Sequence, residues 1–505
     1  MGIIQRQSIK YTIVNFVGTF IGFLSVVLIY PLDRELYGYF QSLHSFATLL
    51  VPFLGWGIHG AVVKFYPDFA QRGKASGFLS FTLIIATLCA AASLIILSGI
   101  YMIARPLMYR LFDNFQFVEA NKSGIIALGV ILLYSSIFFY HASARYRIVI
   151  PDLINNVGLK IFLPALILAV YLGIVSKGVF VPIILIYFFI VSIALLVYLL
   201  RLDTHDWKPG VMASGRGKFR ELIGFMFFSV LNGLGAGLAL RIDTVMVSAM
   251  ISVEAVTIYA IIMTISNVME IPNKAINQIA GPVISASWQN GNRENINEVY
   301  RKSSLYGLLA GMWLFLVLYF IWPDILALMP GKLNVDLNTV LLIFTFLGMA
   351  RIIDLMTGVN SVIISYSDEY RFHMYFLLVL GFTNVMLNYF LLKSMGLPGA
   401  ALATLLSYFV FNLLKYVFVR SRFRMTLVWT HVWQALVCFI LVFAALYFIR
   451  PPFAAFINII IKGTLSTSLF LAAVWWLNPG GEARKTIQES YHSLTAFLPK
   501  AIRKR

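Results

Sequence analysis

The feature that most limits what this chain can fold into is its succession of apolar runs, each long enough to cross a lipid bilayer. A spanning helix needs about 20 predominantly apolar residues, because helical hydrogen bonding satisfies the backbone where no water is available. Runs of that length, bounded by charged, proline or glycine-rich breaks, recur about fourteen times in the 505 residues. Their approximate limits are 11–30, 38–64, 77–104, 123–142, 153–175, 179–200, 222–250, 254–283, 303–322, 338–364, 372–392, 397–419, 428–449 and 455–476. Only 12% of the residues are charged and 60% are hydrophobic, against about 25% charged in soluble domains. The expected fold is an all-α polytopic membrane protein with about 14 transmembrane helices, which excludes a soluble enzyme. The first run follows Arg6 and Lys10 as a signal sequence would, yet it is long enough to span and has no small-residue cleavage site, so it reads as a retained helix. Arg6 also occupies the position where a myristoylation pattern requires Ser or Thr.

Charge sets the expected orientation. With the N-terminus inside, about 25 basic residues fall in cytoplasmic segments and about 8 in the opposite loops, the positive-inside bias. Both termini are therefore expected to face the cytoplasm. The same bias accounts for most of the formal net charge of +18, so no nucleic-acid partner is expected. Cys89 and Cys438 both lie inside apolar runs, far apart in sequence, and offer neither a disulfide framework nor a metal site.

The longest polar cytoplasmic stretch, RLDTHDWKPGVMASGRGKFR at 201–220, falls between the sixth and seventh runs like a hinge between halves. ELYGYF at 35–40 and EAVTIYAI at 254–261 open corresponding spans, while PDFAQRGK at 67–74 and SASWQNGN at 285–292 close them, at an offset of roughly 219. Such internal repeats are common in transporters, whose substrate sites lie at the repeat interface. The expected organisation is a six-helix half at 1–215, a second six-helix half at 216–425, two additional transmembrane helices at 426–478 and a cytoplasmic amphipathic basic tail at 479–505. In that tail Ile487, Tyr491, Leu494, Leu498 and Ile502 recur at helical spacing before Arg503, Lys504 and Arg505, a pattern that suits the inner-leaflet surface and its membrane lipids, with a frayed, solvated tail as the alternative.

The stretch GFTNVMLNYFLLKSMGLPGAALATLLS at 381–407 carries a resemblance. An Asn-bearing helix (Asn384, Asn388) meets a short turn, and Gly399, Ala400, Ala401, Ala403, Thr404 and Ser407 open the next helix. This pattern resembles a signature of bacterial polysaccharide exporters, and RIDTVMVS at 241–248 looks like the start of that family's second half. The resemblance implies the multidrug/oligosaccharidyl-lipid/polysaccharide exporter superfamily, in its polysaccharide (O-antigen or lipopolysaccharide-type) flippase branch. It further implies a cargo of undecaprenyl-diphosphate-linked oligosaccharide, moved from inner to outer leaflet by alternating access, with glycan-assembly machinery as a further partner. Two alternatives stay open. A drug/cation antiporter of the same superfamily would favour an acidic cavity, whereas a membrane glycan polymerase or ligase normally displays a large outer loop with catalytic carboxylates or an Arg-rich face. The longest outer loops expected here, 105–122 and 323–337, are short and mixed in charge.

Ionisable groups deep in hydrocarbon are costly, about 2.5–3.5 kcal/mol each on insertion scales, so they normally face a cavity or a partner. Glu270 and Lys274, at i, i+4 in the eighth run, either line a central cavity or form a structural pair, and Pro272 between them is expected to kink the helix. Arg351 and Asp354, at i, i+3 in the tenth run, form a second candidate pair. Arginine binds phosphate bidentately, so Arg351 is a candidate diphosphate contact that Asp354 holds when the site is empty, and Lys274 can share the work. Arg241 and Asp243, two positions apart, do not face each other on a helix and suit anchoring as well as transport. Lys160 either reaches the cavity or snorkels to the surface, while Lys64 and Lys415 are expected to snorkel. Asn232, Gly233, Gly235 and Gly237 in the seventh run suggest close packing or a gating bend. His44, His59 and His141 are expected to be packed or interfacial. There is no Walker A, HExxH or paired-cysteine pattern, and GLGAG at 233–237 lies inside a span. No cofactor and no catalytic motif are expected, and whether a proton or sodium ion couples transport is left open.

Overall fold

The computed structural model describes residues 17–71, 75–202, 216–330, 335–449 and 451–481, together with Arg484 and Gln488. The start of the first apolar run, most of the 201–220 segment and nearly all of the basic tail lie outside the described residues. Within them every regular element is helical. In chain order these are α1 (Val17–Leu32), α2 (Arg34–Gly55), α3 (Ile58–Gln71), α4 (Ala75–Leu111), α5 (Phe115–Ala144), α6 (Val149–Tyr171), α7 (Phe180–Leu202) and α8 (Arg216–Met250). The chain continues with α9 (Val253–Ser266), α10 (Ile271–Gln289), α11 (Arg293–Leu328), α12 (Leu337–Met356), α13 (Asn360–Tyr366), α14 (Arg371–Met395), α15 (Leu397–Phe423), α16 (Trp429–Tyr447) and α17 (Ala455–Leu477). Among the described residues twelve spans are long and apolar enough to cross a membrane, or thirteen if α2 and α3 count as one. The chain is a multi-pass all-α membrane protein.

Three spans that read as continuous in sequence are broken. The 38–64 run bends by 49° between α2 and α3, where Trp56 and Gly57 take φ of 47° and 71°. Gly57 is required twice over: its φ is left-handed, and a Cβ there would sit 2.6 Å from the Met226 carbonyl. The 254–283 run is interrupted by a tight 3-10 stretch, Asn267–Glu270, after which Pro272 opens α10 in its first turn, a place where its missing N–H costs nothing. The 338–364 run breaks at Gly358, φ 56°. Conversely, helices overrun the apolar limits. α4 has 37 residues and α11 has 36, about 55 Å of helix at 1.5 Å per residue against about 30 Å of hydrocarbon. The outer loop expected at 105–122 is therefore mostly the tip of the α4–α5 hairpin, closed by an Arg105–Glu119 ion pair at 2.5 Å. A charged run ends an apolar span but does not end a helix.

Both sets of elements begin alike. A broken span (α2–α3) precedes a 37-residue helix, and another (α9–α10) precedes one of 36 residues, with Arg34 and Val253 about 219 positions apart. By packing, the chain divides into two compact units, one of residues 1–261, 330–333 and 377–403, the other of 262–329, 334–376 and 404–505. This division follows tertiary contacts, so it cuts elsewhere than the repeat limits at 215 and 425.

In the first unit α2, α3, α5 and α8 bury Leu54, Ile58, Phe65, Leu133, Ile137 and Met226. Lipid offers no hydrophobic drive for helix association, so close approach of small residues carries the packing. At Gly235 a Cβ would lie 2.9 Å from the Leu377 side chain, and at Gly381 2.8 Å from Leu238, so these two glycines let α8 and α14 interlock. In the second unit α10, α11, α13 and α15 share a core of Ile284, Ile296, Tyr300, Val359, Ile363 and Val419. There α17 is fastened to α11 through a buried pair, Lys462 to Asp324 at 2.6 Å, with Asn458 donating to the same carboxylate at 3.1 Å. Trp313 Nε1 adds a bond to the Thr467 hydroxyl at 3.0 Å.

Candidate functional site

The densest set of buried charges lies in the second unit, where the 3-10 stretch meets α12 and α15. In 3-10 geometry side chains at i and i+3 eclipse, so Asn267 and Glu270 project to the same side. Both reach Arg351. Its Nη1 is 2.8 Å from Glu270 Oε1 and donates to the Tyr408 hydroxyl at 2.9 Å, while Nη2 donates to Asn267 Oδ1 at 2.8 Å. The guanidinium also lies 5.1 Å from the Tyr408 ring centroid. The second oxygen of Glu270 is 3.5 Å from Lys274 Nζ, and Lys274 extends outward with 76% of its side chain exposed. The Glu270–Lys274 spacing noted in the sequence thus makes a contact, but the shorter bond runs from Glu270 across to Arg351.

Asp354 does not pair with Arg351 directly. It accepts a 2.8 Å bond from Asn273, itself bonded by Asn277, and stands 3.5 Å from Lys415 Nζ. Lys415 departs from expectation. Instead of snorkelling it is fully buried, donating to the Ser361 hydroxyl at 3.0 Å with its ammonium 3.9 Å from the Phe411 ring centroid. The break before α13 brings Ser361 to it, which the uninterrupted run in the sequence did not announce. The cluster holds three cations, Lys274, Arg351 and Lys415, against two carboxylates, Glu270 and Asp354, an excess of one positive charge. Asn267, Asn273 and Tyr408 escaped the sequence reading because a neutral polar side chain in a span stands out less than a charge, though Asn in a span is itself a signal.

In the first unit, Arg241 and Asp243 point apart, as their spacing requires. Asp243 is buried, accepting from the Tyr259 hydroxyl at 2.9 Å and from Asn388 Nδ2 at 2.9 Å. Asn388 and Asn384, both fully buried, bond to each other, and a Cβ on Gly399 would strike the Leu391 carbonyl. Asn384, Asn388 and Gly399 of the signature are therefore tightly packed, the two asparagines around Asp243. Arg241 interacts electrostatically with His44 and Tyr37, and no carboxylate pairs with it among the described residues. Lys160 lies along α1, its Nζ 3.6 Å from where a Cβ on Gly18 would stand.

A cavity of about 310 Å³ opens in this unit beside Pro52, Gly233 and Gly237. The two glycines provide its room by having no side chains, while α8 runs unbroken through them. Asn232 is exposed and lies outside its lining. His44 stacks on Phe40 and Phe188, and His59 on Tyr140, so both are packed as expected while also bordering the cavity. His141 is buried against the Thr82 hydroxyl at 2.9 Å.

No family profile matches this chain, and no curated protein sequence matches it. Solved structures do. The chain is similar to "Lipid II flippase MurJ, inward closed conformation", with a TM-score of 0.70 at 16% identity over 92% of this chain and 99% of that one. It is also similar to an inward-facing multidrug resistance MATE transporter of the MOP superfamily, with a TM-score of 0.61 at 14% identity over 81% and 94% of the two chains. An outward-facing MATE structure gives 0.53 at 14% identity over 84% and 95%. The fold is that of the MOP exporters.

Proposed function

We infer that this chain is a flippase, carrying an undecaprenyl-diphosphate-linked oligosaccharide from the inner to the outer leaflet of a bacterial inner membrane by alternating access, for cell-surface polysaccharide synthesis. The observation that carries this reading is the buried guanidinium of Arg351, held by the single carboxylate of Glu270, with the exposed Lys274 beside it as a surplus cation. A dehydrated guanidinium recognises a phosphate through paired N–H donors. Here Glu270 is the anion that Arg351 meets, at 2.8 Å. An entering diphosphate takes over Arg351, and Glu270 keeps Lys274, so the buried arginine is never left without an anion. Asp354 and Lys415 compensate one another beneath it. The fold shared with a lipid II flippase is in keeping with a lipid-linked cargo. The cation antiporter reading requires carboxylates facing a cavity, whereas the cavity of the first unit has no Asp or Glu among its described lining residues.

On this reading both termini are cytoplasmic, lipid and the glycan-assembly machinery are the partners, and coupling to a proton or sodium ion stays a separate question. The test is export of a lipid-linked glycan by Arg351→Gln, in cells and in vesicles, with protein in the membrane measured alongside. Export is expected to be lost at unchanged membrane abundance. Undiminished export would take Arg351 out of the mechanism.

A further inference from the structure

We propose that the cavity of the first unit is a saccharide subsite, taking a single neutral or N-acetylated pyranose of the cargo; this rests on the flippase reading and adds to it the group that reads the sugar. Its polar lining is His44, Thr48, His59, Ser135, Tyr140 and Asn155, with Val51, Pro52 and Leu132 providing apolar wall. A pyranose is built to match such a surface. Its hydroxyls need many neutral donors and acceptors, and its C–H faces need aromatic or aliphatic cover.

Several of these groups have bonding capacity to spare. Among the described residues, the Ser135 hydroxyl and His59 Nδ1 are buried without a hydrogen-bond partner, and buried polar atoms are rarely left so. Asn155 makes no hydrogen bond among the described residues either. It is carried on a π-helical turn, Leu153–Val157, and such turns recur at functional sites. Tyr140 stacks on His59 with ring centroids 5.4 Å apart, forming a flat wall. The volume is at the lower end for small-molecule sites, about 300 Å³, which suits one sugar residue and is too small for an oligosaccharide. Charge excludes the obvious competitor. The described lining has no carboxylate, and the nearby Arg241, unpaired with any acid among the described residues, repels an organic cation.

The experiment uses the full chain in lipid nanodiscs and saturation-transfer NMR with methyl glycosides of a hexose and an N-acetylhexosamine, with inorganic pyrophosphate and tetraethylammonium as the other probes. At least one glycoside is expected to show transfer to its ring protons. Transfer should fall about five-fold in Asn155→Ala, which removes only a side chain without a partner, and in Ser135→Leu, which fills the space. Tetraethylammonium should neither bind nor displace the glycoside. Glycoside transfer that is unchanged in both variants, or displaced by tetraethylammonium, overturns the subsite. No glycoside transfer while pyrophosphate still binds, and is lost in Arg351→Gln, overturns the subsite and leaves the anion site standing. Failure of both probes removes both readings.

Discussion

Replacing Glu270 with Gln isolates what the central pair contributes. Arg351 would keep its bonds to Tyr408 and Asn267 but lose the carboxylate 2.8 Å away. Stranding one partner of a buried ion pair costs about 3–5 kcal/mol, because the remaining charge stays out of water. Here the side chains are 8% and 22% exposed, and Asp354 still exerts an attraction on Arg351, so we expect the loss to be about 2–3 kcal/mol. Arg351→Gln leaves Glu270 with the exposed Lys274 at 3.5 Å, a milder defect of about 1–2 kcal/mol. The double variant strands neither charge and should be about as stable as Arg351→Gln alone. The cycle then yields a coupling equal to the Glu270→Gln loss, about 2–3 kcal/mol. Equilibrium unfolding of the four proteins in identical mixed detergent micelles measures it. If the two single losses add, with coupling below about 0.5 kcal/mol, Glu270 and Arg351 are not energetically one unit and the placeholder role of the carboxylate fails.

Two further outcomes follow from packing. Gly235→Ala and Gly381→Ala each push a methyl to within 3 Å of a neighbouring leucine and should each cost about 1–3 kcal/mol; Gly224→Ala, in the same helix as Gly235 but with open space around it, should be neutral or slightly stabilising, as read from melting temperatures in one detergent. Lys462→Met strands buried Asp324 and should destabilise by about 3 kcal/mol, with protease cutting appearing first around α17; Lys462→Met with Asp324→Asn should recover more than half of that loss, and no recovery would mean the pair does not fasten the helix.

The sequence by itself determined that this chain crosses a membrane many times as helices, since nothing else satisfies a backbone in hydrocarbon over runs of that length. It also marked Glu270, Lys274, Arg351 and Asp354, because a charge in an apolar run is costly enough to stand out one residue at a time. Tertiary structure alone decided which charge meets which. Arg351 finds Glu270 because a 3-10 turn aims Asn267 and Glu270 together, and Lys415 is buried because the chain breaks beside Ser361. The cavity of the first unit was illegible for a related reason: its lining comes from α2, α3, α5, α6 and α8, and although His44, His59, Gly233 and Gly237 stood out singly, nothing joined them to Ser135, Tyr140 and Asn155 until the helices packed. Hydropathy is a property of single segments, whereas pairing and enclosure belong to several at once.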